Sequence, residues 1–148
     1  MTEKPKAIYI LVLLWLAISG IFVMWGAYSL TIVLQIPDWT DLSPWVQSTL
    51  HVSFLMSTIV WFVFSSLFII FSYGTFKKDH WVWTTGVIIS TIFLAVFGLM
   101  LASFMINAVV FLDWFSIGGL ISVVLSFLID LGIVFFLTRP IVKAYFEV

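Results

Sequence analysis

One acidic residue, Asp130, interrupts an otherwise uncharged apolar run between Phe115 and Leu137. An Asp near the middle of a membrane-spanning helix costs roughly 2.5–3.5 kcal/mol on insertion scales, so such residues turn into protein and find partners or a task. Asp130 lies nine residues before Arg139. That is about 12–14 Å from the helix end at 1.5 Å per residue. The layer at matching depth holds Trp15 to Ser19 on the first apolar run, Ser65 and Ser66 on the second and Ser90 and Thr91 on the third, with Ser126 one turn away on the same helix. No Lys or Arg shares that layer. A buried carboxyl without a counter-charge is expected as the neutral acid, donating one hydrogen bond and accepting others. Three readings stay open for Asp130: an interhelical hydrogen-bonding group, a contact with a partner subunit, or a proton- or cation-binding site. The last lacks a second acid or His at its depth.

The two histidines, His51 and His80, fall near opposite ends of the spans and cannot together ligate one haem or metal ion. His51 shares its depth with Asn107 and Tyr28, which reads as an outer polar network. A single-His ligand or a quinone-type hydrogen bond is the alternative there. No nucleophile–base–acid set, Gly-rich phosphate loop or HExxH motif is visible. The absence of Cys excludes disulfides and thiolate metal sites. No catalytic residue, metal or cofactor is therefore assigned, and an enzyme acting alone is not indicated. A net charge of −1 offers nucleic acid no basic field.

The elements that position these groups follow from composition. Hydrophobic residues make up 64% of the chain and charged ones 9%, with mean hydropathy +1.26. A soluble domain has about 25% charged residues, and a fold of this size cannot hide so much apolar surface from water. The solvent over most of the chain is lipid. Four apolar runs, at about 7–34, 44–73, 81–112 and 115–137, each exceed the roughly 18–20 residues that span a bilayer as a helix. They occupy nearly all of a single domain, 1–148. The first follows Lys4 and Lys6 as a signal peptide would, but it is too long for a signal h-region of about 7–15 residues and is read as a retained span. Ser43-Pro44 fits an N-cap with Pro at the first helical position, and Asp79 and Asp113 fit N-caps of the third and fourth helices. Pro140 ends the fourth helix or begins a short interfacial one.

All six basic residues, Lys4, Lys6, Lys77, Lys78, Arg139 and Lys143, fall on one side of a four-span arrangement. Asp38, Asp41 and Asp113 fall on the other. The positive-inside rule makes the basic side, with both termini, cytoplasmic. Trp39, Trp45 and Trp114 mark the outer interface, and Tyr9, Tyr73, Trp81, Trp83 and Tyr145 the inner one.

Lipid gives helices no hydrophobic reason to associate, so close contacts need small residues and hydrogen bonds. The fourth run carries Gly118, Ser122, Ser126 and Asp130 at four-residue spacing. The third carries Thr91, Ala95, Gly98 and Ala102. These stripes predict that helices three and four form the tightest pair. The serine and glycine pairs of the first two runs, among them Ser19-Gly20, Gly26-Ala27 and Ser65-Ser66, are weaker patterns.

The tail Leu137-Thr138-Arg139-Pro140-Ile141-Val142-Lys143-Ala144-Tyr145-Phe146 resembles that of many small, uncharacterised four-span prokaryotic proteins. The resemblance implies a fold and no activity. The expected architecture is all-α: a polytopic membrane protein with an antiparallel four-transmembrane-helix bundle in the cell membrane. The expected role is a non-catalytic integral membrane subunit that stabilises a larger assembly, its partners being the bilayer and other membrane subunits or copies of itself. The alternatives are a small oligomeric proton- or cation-coupled carrier or channel using Asp130, and a membrane redox or quinone-binding module using His51.

Overall fold

The computed structural model describes residues 5–35, 43–108 and 114–148, without the side chains of 104–108 and 114–117. Five helices form: α1 Lys6–Gln35, α2 Pro44–Lys77, α3 His80–Ala108, α4 Trp114–Leu137 and α5 Pro140–Phe146. The first four are each long and apolar enough to cross a membrane. Their antiparallel succession makes the chain an all-α, multi-pass membrane bundle.

The start of α2 is set by proline. Ser43 has extended backbone and Pro44 opens the helix, but the Ser43 hydroxyl makes no capping hydrogen bond. The fixed φ of Pro44 and its missing N–H are enough to begin a helix. At the other end, Lys78 takes a left-handed conformation (φ 67°). Its N–H donates to the Thr75 carbonyl, and the Asp79 N–H to the Gly74 carbonyl. This is a Schellman closure. It turns the chain from α2 into α3 and leaves Asp79 immediately before the first residue of α3. Asp113 lies outside the described residues, as do Asp38 and Asp41.

α1 is the central helix. Its buried residues, Ile8, Leu11, Trp15, Ile18, Ser19, Phe22, Gly26, Ser29 and Val33, recur at three- and four-residue steps. That is the spacing of a coiled-coil seam. Among the described residues, the most extensive contact is between α1 and α2, with α3–α4 second. The expected ranking is thus reversed, and the reason is where the small residues point. Ser19 donates to the Ser65 carbonyl at 3.0 Å and its hydroxyl meets that of Ser65 at 2.9 Å. A Cβ on Gly26 would sit 3.2 Å from the Phe62 ring. In α3 and α4 Ala102 and Gly118 are exposed, and Gly98 meets the Phe127 ring more loosely, at 3.7 Å.

Aromatic side chains fill the middle of the bundle. The Phe22 ring lies 5.1–6.3 Å, centroid to centroid, from Trp61, Phe64, Phe68, Phe93 and Phe97, which joins three helices. Trp15 stacks on Phe68 and tilts against Phe71. Such pairs add about 0.5–1.5 kcal/mol each beyond area burial.

α5 closes one end. Pro140 starts it rather than simply ending α4. Val142 and Phe146 are fully buried in the same core cluster as Ile8. The Leu137 carbonyl, left without a helical partner, accepts from Trp83 Nε1 at 2.8 Å. Tyr145 donates to the Phe76 carbonyl at 3.4 Å. Lys78 pairs with Glu147, and Lys143 sits over the Trp83 ring. The hydrogen bond and charge of Lys78 hold the Glu147 carboxyl below the usual carboxylate range. Lys77, Lys78, Arg139 and Lys143 therefore gather at the end of the bundle where α1 begins.

Candidate functional site

Asp130 is fully buried on α4. Its neighbours along the same helix face are Ser126, Ile133 and Leu137, all buried. The helix therefore turns its acid into the bundle, not to lipid. Across the α3–α4 interface, the Ser90 hydroxyl, also fully buried, acts on the carboxyl. Neither group completes a hydrogen bond of normal geometry.

The other hydroxyls named from sequence divide. Ser126 is buried, but its hydroxyl donates to the Ser122 carbonyl on its own helix at 2.9 Å. Ser66 and Thr91 face outward and donate to the carbonyls of Phe62 and Val87. Such back-bonding satisfies a hydroxyl within its own helix, so neither reaches Asp130. The interior hydroxyl of α2 at this depth is Ser65, paired with Ser19 of α1. The signal for it was present: Thr58, Ser65, Phe68, Ser72 and Thr75 follow three-, four- and seven-residue steps on one face of α2, and Ser66 lies off that face.

Trp15 falls in this layer by its position in the sequence, but the sequence gives its indole no role there. It is fully buried, and its indole Nε1 has no hydrogen-bond partner. The edge of its six-membered ring comes within 3.2 Å of where a Gly86 Cβ would stand. Gly86 is one turn before Ser90 on the buried face of α3. Trp15 sits at the base of the same layer as a result.

Of the residues assigned to packing, Gly98 and Ser122 are half-buried and Ala102 and Gly118 are exposed. Ser122 serves α1 rather than α3, accepting a hydrogen bond from Trp25 Nε1 at 2.8 Å. In the outer polar cluster, His51 is half-buried and Tyr28 exposed, its ring 6.1 Å from that of Trp25. The Asn107 side chain lies outside the described residues. No group of three potential metal-ligating side chains occurs among the described residues.

Fold and interior together define an integral membrane protein with buried polar side chains on α1, α2, α3 and α4. Comparison with protein-family models, curated proteins and solved structures gives no match.

Proposed function

We propose that the chain is a non-catalytic subunit that packs against, and stabilises, a larger membrane assembly. The observation that carries this reading is a groove of about 400 Å³ between α1 and α4, open to the membrane. Ile21, Met24 and Trp25 form one wall, and Gly118, Gly119 and Ser122 the other. A Cβ on Gly118 would touch nothing within 4 Å. Small residues beside a notch allow another transmembrane helix to approach its backbone closely. Within this bundle the described glycines that meet a neighbour most closely are elsewhere, at Gly26, Gly74 and Gly86. The resemblance of the tail to small four-span prokaryotic proteins agrees with a chain that has little mass outside the membrane.

Purification from native membranes in mild detergent tests the proposal. The wild-type chain is expected to bring another membrane protein with it, and Gly118→Leu is expected to lose that partner while the chain stays folded. A clean monomer from wild type would sink the idea.

We place the basic end of the bundle, with α5, in the cytoplasm of a cell membrane, on the positive-inside rule. A cysteine introduced at Lys143 is then expected to resist a membrane-impermeant thiol reagent in intact cells and to react once the membrane is opened. Labelling in intact cells would reverse the orientation.

A further inference from the structure

Five buried side-chain polar atoms among the described residues make no hydrogen bond. Four of them lie on facing helices around Asp130: both its carboxyl oxygens, Ser90 Oγ, and the Nε1 of Trp15, whose ring meets α3 at Gly86, one turn before Ser90. The fifth, Thr75 Oγ1, is at the end of α2. Native proteins pair nearly all such atoms, with protein or with ordered water. Four so grouped therefore point to something that joins them.

The chemistry of the atoms selects what that is. Trp15 Nε1–H only donates, Ser90 both donates and accepts, and a carboxyl offers two oxygens. A bound cation needs a shell of oxygen ligands, about six or more for the hard divalent ions. Here the side chains supply three oxygens, and an N–H donor opposes the charge. Nor does a protein charge face Asp130. The neighbouring stretches of α1 around Trp15–Ser19, α2 around Ser65 and α3 around Gly86–Phe93 carry no titratable side chain. Lys143 and Tyr145 of α5, and Glu147 just after it, lie at the closed end of the bundle, beyond Leu137. A water molecule suits the set: it accepts from the indole, exchanges a bond with the hydroxyl and donates to the carboxyl oxygen. Buried waters typically make about three such bonds.

We propose that Asp130, Ser90 and Trp15 form a proton-binding site inside the membrane, in which the neutral Asp130 carboxyl is joined through one water molecule to the Ser90 hydroxyl and the Trp15 indole N–H. The proton is held on the carboxyl, which the enclosing helices keep from bulk water.

Infrared spectroscopy of the full chain in lipid bilayers at pH 7, with aspartate side-chain carboxyls labelled with carbon-13, tests this. A protonated-carboxyl band is expected, shifted to lower frequency in heavy water and absent in Asp130→Asn. Ser90→Ala and Trp15→Phe are each expected to raise its frequency, because each removes one link of the network. If Asp130→Asn fails to fold, Asp130→Glu supplies the assignment: the band should leave the aspartate label and appear under a glutamate label. A spectrum with only ionised carboxylate, or a protonated band unmoved by heavy water, overturns the proposal. So does a band that neither Ser90→Ala nor Trp15→Phe shifts.

Discussion

Trp15→Ala is expected to destabilise the bundle by about 3–5 kcal/mol, the range for large aromatic truncations in cores. Trp15 is fully buried, its ring centroid 5.4 Å from Phe68 and 5.1 Å from Phe71, with Gly86 against its edge. In lipid the loss is not one of transfer from water, since both states are surrounded by apolar atoms. It is the dispersion energy of contacts that no neighbour replaces, together with the cavity left behind. Three helices share that cavity, so collapse of any one of them cannot fill it. Reversible unfolding in mixed micelles measures the effect. Leu13→Ala is the control: it removes a side chain of similar character that is 64% exposed, and a change within about 0.5 kcal/mol is expected there. Equal losses for the two would mean that the Trp15 contacts contribute nothing.

Gly74→Leu is expected to cost as much as any overpacking change in the chain, about 3 kcal/mol or more. A Cβ on Gly74 would fall 2.4 Å from Val82 Cγ2. Val82 is fully buried, so it cannot simply rotate away. The Gly74 carbonyl also accepts the hydrogen bond that closes α2, so a shift of the backbone would open the turn into α3. Gly20→Leu provides the contrast, because a Cβ there meets nothing within 4 Å. The same unfolding measurement should find Gly20→Leu close to wild type. If Gly74→Leu is equally silent, α2 and α3 are not held together at this turn.

The four spans were legible because length and hydropathy decide them, whereas the tail helix was one of two outcomes that Pro140 allowed. The burial of Asp130 was legible for a related reason: one charge in an apolar run has a single comfortable direction. The choice between neighbours was harder. Ser65 and Ser66 have the same composition and depth, and only the rotation of α2, set by Phe68 and Phe71, separates them. Every helix is apolar nearly all round, so no polar face reports that rotation. Pairing suffered likewise. The stripe of small residues on α4 was clear in sequence, but a stripe does not say which neighbour it meets, and its outer part opens to the membrane. Trp15 could be placed at the depth of Asp130 but not given a role, because a Trp in a span reads as bulk and its N–H matters only when a polar group lies near it.

The helices differ in length, and that bears on how the bundle meets the bilayer. α2 has 34 residues and α4 has 24. They are about 51 Å and about 36 Å long at 1.5 Å per residue. At the basic side the end of α2 is tied to α5 and the tail just after it, through Tyr145 and Glu147. The hydrocarbon is about 30 Å thick, so the first turns of α2 stand clear of it. Trp45, Gln47, Thr49, His51 and Ser53 lie on those turns. The half-buried His51 then lies near the headgroup end of α2, where a polar ring meets water rather than hydrocarbon.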